Sequence, residues 1–267
     1  MPLHRIRLRL KKYHVDLRAC WDRRYRKKYD RPLSLAQIPL SFRERNGVYA
    51  YMHHFFNHLL PEPVRTHRKY FSCENRGFGE DAFHSLWYLL FSEFKPRQVL
   101  EIGIYRGQTL SLWALLAKMI EFTVEIHGIS PLSAAGDANT RYPELDYLQD
   151  IKDNFAHFGL PLPFIHQGLS TDPDMVKLIQ SITWDLIYID GSHDYETVRH
   201  DFAICSKALK TNGLIVLDDA AKFTDYIPPA YAFAGHAGPS RVAGEIDSRD
   251  FQEIIGVGHN RVFQKKG

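Results

Sequence analysis

The sequence predicts an α/β fold, because five short apolar runs rich in β-branched residues alternate with amphipathic helical segments between Gln98 and Asp219. Two further observations refine this. The chain ends in two strand-like runs with a short glycine-containing connection, the pattern of an antiparallel hairpin at one sheet edge. Helix-like segments precede the first strand. The expected architecture is a doubly wound, mostly parallel sheet whose last strand is antiparallel, preceded by a helical N-terminal segment.

Gly47–Leu60 and Glu80–Phe94 read as helices, with Pro61-Glu62-Pro63 between them. The five strand runs are Gln98–Gly103, Thr123–Ile129, Pro163–Gln167, Trp184–Asp190 and Gly213–Asp219. Helical segments fall at Gln108–Met119, Glu144–Phe158, Pro173–Ser181 and Asp194–Leu209. In the last, Val198, Phe202, Cys205 and Leu209 form one stripe, which makes Cys205 a core thiol rather than a nucleophile. Phe251–Val257 and Arg261–Gln264 form the hairpin around Gly258-His259-Asn260.

The formal charge of +3 averages two unlike pieces. Residues 1–31 carry 12 Lys/Arg and 3 Asp, a net of +9; residues 32–267 carry 22 Lys/Arg and 28 Asp/Glu, a net of −6. The basic arm, with Trp21 and Tyr25, suits contact with phospholipid headgroups or nucleic acid, and equally a solvated tail. Residues 32–79 would form a helical cover or an oligomer contact, and residues 80–267 the main domain. Three scattered cysteines supply neither a zinc pair nor a disulfide framework. With no long apolar run and no secretory signal pattern, a cytoplasmic protein, membrane-peripheral through its arm, is expected.

The first strand runs into a turn, Glu101-Ile-Gly103-Ile-Tyr105-Arg-Gly107, that opens a helix. Glycines there let a backbone approach a ligand, and the helix start offers N–H groups to a carboxylate. Glu101 could meet an ammonium, so the loop suits a zwitterion carrying a nucleoside; packing alone is the competing reading. The spacing lacks the third glycine of a dinucleotide fingerprint and the Lys-Ser/Thr of a phosphate loop.

Asp190 and His193 follow the fourth strand, and Asp218 and Asp219 end the fifth. Side chains leaving neighbouring parallel strands converge on one crevice. Three carboxylates there repel one another, and a divalent cation with oxygen ligands, Mg2+ by default, relieves this. The alternative is that individual Asp residues cap helices or loops. His193 could serve as general base, cap the helix or hold Asp190.

Taken together, Glu101-Ile-Gly103-Ile-Tyr-Arg-Gly107, Ile189-Asp190-Gly-Ser-His193-Asp-Tyr195-Glu and Gly213-Leu-Ile-Val-Leu-Asp218-Asp219 resemble the class I S-adenosylmethionine-dependent methyltransferases. The similarity is to the branch ending its fourth strand in D-G-x-H-x-Y, with the metal-dependent O-methyltransferases of macrolide sugars and the cephalosporin-hydroxylase-like proteins. It covers about residues 80–267. The resemblance implies a Rossmann-like seven-stranded sheet with the last strand antiparallel. It also implies S-adenosylmethionine around Glu101, Gly103, Tyr105, Gly107, Ser130, Ser170 and Asp190, and Mg2+ on Asp190, Asp218 and Asp219. His193 and Asp190 are the candidate catalytic residues, and the acceptor is a hydroxyl of a small molecule, sugar or glycan.

Two positions depart from the family pattern. Where an acid usually meets the ribose, the chain reads His127-Gly-Ile-Ser130, with Asp137 as a displaced candidate; where an acid sits near the adenine, it reads Gly168-Leu169-Ser170. A non-catalytic binding protein of the same fold therefore stands as an alternative, and RNA methylation guided by the arm as a further one. The His54/His58 pair, spaced for one helical face, reads as ordinary helix surface rather than zinc ligands. Tyr226–Pro239, rich in aromatics and glycine, reads either as a loop that closes over an acceptor or as a simple connection.

Overall fold

The computed structural model describes residues 27–133, 142 and 144–267. Most of the basic arm and Asp137 lie outside the described residues. Seven strands form one sheet: β1 (Gln98–Ile102), β2 (Glu125–Ser130), β3 (Phe164–Gln167), β4 (Trp184–Ile189), β5 (Leu209–Leu217), β6 (Phe251–Val257) and β7 (Asn260–Lys265). Their spatial order is β3-β2-β1-β4-β5-β7-β6. The first five pair in parallel and β7 runs antiparallel to both its neighbours, as the alternation and the terminal hairpin predict.

Alternate residues on each strand face opposite sides, and each side has its own core. Val99, Leu186, Tyr188, Leu214 and Val216 pack beneath α2 (Arg45–His58), α4 (Asp81–Phe94), α5 (Gln108–Ile120) and α6 (Tyr147–His157). Leu100, Ile102, Ile187, Ile189, Ile215 and Leu217 pack against α7 (Pro173–Ser181), α8 (Tyr195–Ala208) and α9 (Ala237–Glu245). Cys205 is fully buried in this second core, as its stripe requires.

Several expectations are corrected. Pro61-Glu62-Pro63 does not merely separate two helices: it starts α3 (Glu62–Ser72), where a proline in the first turn costs no hydrogen bond. The short α1 (Gln37–Ser41) and α9 are further additions; α9 spans Ala-Gly-Pro-Ser-Arg-Val-Ala-Gly-Glu and is held by packing on α8. The hairpin connection is two residues, not three, because Val257 pairs with Asn260. Gly258 takes φ 59° there, as a tight glycine-first turn demands. His54 is buried and pairs with Asp30 at 3.0 Å, so it is not helix surface. Tyr29 packs on Phe42, Tyr51 and His54, which draws the end of the basic segment into the core.

The strand order reverses between β1 and β4, which places a crevice at the carboxyl ends of the sheet. Two backbone bonds close its floor: Asp190 N–H to Ile102 O (2.8 Å) and Asp218 N–H to Ile189 O (3.1 Å). Among the described residues, no helix is long and apolar enough to cross a membrane.

Candidate active site

The loop after β1 is locked from several sides. Gly103 takes φ 102°, and a Cβ there would overlap the Asp190 carbonyl oxygen. Its glycine is thus required by the approach of the loop after β4, not only by a ligand. Gly107 takes φ 79° and is the N-terminal cap of α5. Between them Arg106 forms a two-pronged ion pair with Asp150 of α6, Nε to Oδ2 at 2.7 Å and Nη2 to Oδ1 at 2.6 Å. Tyr105 stacks on Phe78 with centroids 4.9 Å apart.

Glu101 is buried at the end of β1, and its Oε2 has no hydrogen-bond partner. Burial raises its carboxyl to about 8, against a hydrogen bond from Thr109 and with added repulsion from Asp218. The Tyr105 hydroxyl is likewise buried without a partner. An orphaned carboxylate and an orphaned hydroxyl beside a helix start fit a zwitterionic amino-acid moiety, whose ammonium and carboxylate they would satisfy.

Ser130 ends β2 and Ser170 follows β3. The Ser130 hydroxyl donates to Ile104 O at 2.9 Å and accepts from Leu132 N at 3.2 Å, so it braces the β1 loop. Ser170 stands against the buried Asp201 carboxyl of α8, which burial raises and Ser170 and His200 counteract. The Ser130 hydroxyl therefore has its partners within the protein.

The carboxylates do converge. Asp190, His193, Asp218 and Asp219 line one small crevice with Pro239. Asp190 is half-buried; desolvation first, then the charge of and a hydrogen bond with Asp218, raise its carboxyl well above the usual range. Asp219 takes φ 54°, a strained conformation for a non-glycine residue. His193 Nε2 lies 2.9 Å from Asp219 Oδ2. Burial alone would raise Asp219, but the hydrogen bonds from His193 and His259 outweigh it and hold the carboxyl well below its ordinary value. His193 does not cap α8: the Asp194 side chain does so, accepting from Glu196 N and Thr197 N.

Three contributors escape the motifs of the sequence. His236 comes from the loop between the Asp pair and α9. Its N–H donates to Asp219 O at 2.9 Å, its ring stacks on His193 at 3.9 Å, and its Nε2 is 3.7 Å from Asp219 Oδ2. The flanking glycines explain this placement. A Cβ at Gly235 would overlap Asp219 O, and one at Gly238 would overlap His193 O. His259, at the β6–β7 turn, puts Nδ1 3.1 Å from Asp218 Oδ1 and 3.0 Å from Asp219 Oδ1. Burial opposes charge on this imidazole, but Asp218, Asp219 and Glu80 outweigh it and raise its pKa well above normal. Glu80, just before α4, accepts from the Tyr49 hydroxyl at 2.5 Å. The signal that could have found the two histidines is their position in loops next to the strand ends.

This donor set of buried and half-buried carboxylates and imidazoles fits a divalent cation in charge and atom type. Two groups of ligand atoms lie within 4.8 Å of one another, His193–Asp219–His236 and Asp218–Asp219–His259, and they share Asp219. Asp190 meets Asp218 instead of completing either group.

The fold is a Rossmann-like seven-stranded sheet with a crevice at the strand ends, the architecture also found in solved methyltransferases. Residues 100–220 match the family described as a methyltransferase domain, in agreement with the resemblance carried by the sequence motifs. An O-methyltransferase from Bacillus cereus in complex with S-adenosylhomocysteine aligns over 82% of this chain and 97% of its own, at TM-score 0.55 and 14% identity. The O-methyltransferase TomG from Streptomyces achromogenes, in complex with S-adenosylmethionine, aligns over 78% and 91%, at TM-score 0.50 and 14% identity. At this identity the likeness is one of fold. An uncharacterized protein of Acanthamoeba polyphaga mimivirus is 28% identical over 130 residues, 47% of this chain and 51% of that protein. The chain thus spans about half the length of the curated relative it matches.

Proposed function

We propose that the chain is an S-adenosylmethionine-dependent O-methyltransferase that acts on a hydroxyl of a small molecule, sugar or glycan with the help of a divalent cation. The observation that carries this reading is the buried Glu101 with its unpartnered Oε2, beside the Asp190/Asp218/Asp219 carboxylates at the switch point of the sheet. Bound there, the cofactor would supply an electrophilic methyl group and the cation would lower the pKa of a coordinated hydroxyl.

Glu101 holds the ammonium, while Gly103, Tyr105 and the start of α5 after Gly107 receive the carboxylate. Asp218 and Asp219, with Asp190 behind Asp218, hold the cation. With its Nε2–H donated to Asp219 Oδ2, His193 would serve as the base that takes the proton of the acceptor hydroxyl. Asp219 fixes that tautomer and stabilises the imidazolium that results. The Asp190–Ile102 and Asp218–Ile189 backbone bonds keep the crevice rigid, which would favour alignment of a bound acceptor with the cofactor. The aromatic loop through Phe233 and His236 borders the acceptor side, and residues 1–31 serve as an anionic-surface contact.

The test is incubation of the protein and an extract of hydroxylated metabolites with methyl-labelled cofactor, read by mass spectrometry. A labelled product that vanishes in Asp218→Asn and in chelator is expected; labelled product unaffected by either would remove the carboxylates from the mechanism. A second reading, a non-catalytic binding protein of this fold, is favoured by the Ser130 hydroxyl, which is held by Ile104 and Leu132 in place of a ribose-binding acid. It predicts cofactor or ligand binding without any labelled product.

A further inference from the structure

We propose that His259 is a metal ligand together with Asp218 and Asp219, and that this mixed nitrogen and oxygen site takes a divalent first-row transition ion, such as Mn2+, in preference to Mg2+. The proposal rests on the reading that these carboxylates hold a cation, but not on methyl transfer.

Geometry is the first argument. His259 Nδ1 lies 3.1 Å from Asp218 Oδ1 and 3.0 Å from Asp219 Oδ1. Two ligands at right angles around an ion about 2.1 Å from each stand about 3 Å apart, so these separations are those of neighbouring ligands. The Asp219 backbone nitrogen also approaches the same Nδ1, at 3.3 Å. An imidazole nitrogen and two carboxylate oxygens so close together call for a positive charge among them, which a ring proton or a metal ion supplies.

The surroundings are those of a supported ligand. A metal-binding imidazole commonly turns its other nitrogen to a carboxylate. His259 Nε2 faces Glu80 Oε1 at 3.5 Å, and Glu80 Oε2 accepts from Tyr49 at 2.5 Å. Asp218 Oδ1 in turn accepts from Asn260 Nδ2 at 2.7 Å. Asn260 is wholly buried, and its Oδ1 has no hydrogen-bond partner, an independent sign of a polar group absent from this network. The His259 ring is clamped edge-on by Phe83 at 4.6 Å, and a Cβ at Gly258 would come within 2.8 Å of Phe83, so the turn has one seat.

Chemistry selects the ion. Mg2+ favours an all-oxygen octahedron with several waters, whereas imidazole suits Mn2+, Fe2+ and Zn2+ increasingly well. The helices before residue 80 acquire a purpose in the same stroke, since Tyr49 and Glu80 orient His259.

The experiment uses the full chain, stripped with chelator and titrated with Mn2+ or Mg2+ under electron paramagnetic resonance and calorimetry. We expect one Mn2+ per chain, bound at least tenfold more tightly than Mg2+, and a pulsed-resonance signature of imidazole nitrogen on the manganese. His259→Ala and His259→Gln, checked for fold by circular dichroism, should lose that signature and at least tenfold in affinity; Glu80→Gln should keep the signature and weaken binding about tenfold. Mn2+ bound without nitrogen coupling in the unaltered protein overturns the His259 assignment but leaves the carboxylate reading standing. No binding of either ion overturns both, and would make His259 an imidazolium that neutralises the carboxylates itself.

Discussion

His193 Nε2 stands 2.9 Å from Asp219 Oδ2, and this pairing gives a half-buried imidazole a fixed tautomer and a buried counter-charge. A base so placed is expected to matter to turnover and little to cofactor binding. His193→Ala should lower kcat by about 10²–10⁴-fold with the cofactor Kd within about twofold of the parent. Steady-state kinetics alongside calorimetry checks this; a proportional loss of both would make His193 a binding group.

Glu101 sets a pH dependence of cofactor affinity. Burial raises its carboxyl to about 8, so at neutral pH the side chain keeps its proton, and an incoming ammonium requires that proton to leave. Affinity for S-adenosylmethionine should therefore rise as pH increases from about 6.5 towards 8.5, by at most about tenfold per pH unit. Calorimetry in two buffers of different ionisation enthalpy should show proton release on binding at pH 7. Glu101→Gln should bind weakly and with a flat pH profile.

His67 and His84 set a pH dependence of stability. His67 Nδ1 meets His84 Nε2 at 3.2 Å and its Nε2 meets Ser111 Oγ at 2.9 Å, all buried between α3, α4 and α5. Burial lowers His67 to about 3 and His84 well below its ordinary value. Both fold neutral, so the unfolded chain binds more protons than the folded one below about pH 6.5. Their contribution is fully present above that value and is lost as pH falls towards 3, at up to about 1.4 kcal/mol per pH unit for each. Urea unfolding at pH 7 and pH 5 should show this loss, and His67→Gln should make the slope shallower.

Gly103 tests the switch point itself. Its φ of 102° and the overlap of any added methyl with Asp190 O leave no room for a side chain without displacing the β4 loop. Gly103→Ala should destabilise the fold by about 3 kcal/mol, the sum of overpacking and left-handed strain. The thermal midpoint should fall by roughly 6–12 °C, with cofactor affinity lost as well. A variant of unchanged stability would contradict the close contact.

Much of the sheet is legible in the sequence because each strand carries its own apolar signal. Pro173–Ser181 matches residue for residue, and Gln98–Gly103 runs one residue beyond the observed β1. Elsewhere a local rule misleads. Pro61 and Pro63 read as breakers, although a helix tolerates proline in its first turn. Helix α9 holds two glycines and a proline, so its propensity is poor and its stability comes from burying Val242 and Ala243 on α8.

The site is legible to the same extent. Asp190, Asp218, Asp219 and His193 sit at strand ends, where topology alone brings them together. His236, His259 and Glu80 reach the same cluster from separate loops, and no spacing along the chain encodes that meeting. Ser130 shows the converse: its position at the end of β2 follows from the pattern, but its hydroxyl serves Ile104 and Leu132.

Calorimetric titration of the full chain with S-adenosylmethionine, with and without divalent ion, tests cofactor binding at the switch point most directly. One binding site per chain is expected, weakened at least tenfold by Glu101→Gln. No heat of binding under any of these conditions, confirmed by equilibrium dialysis with labelled cofactor, would contradict it.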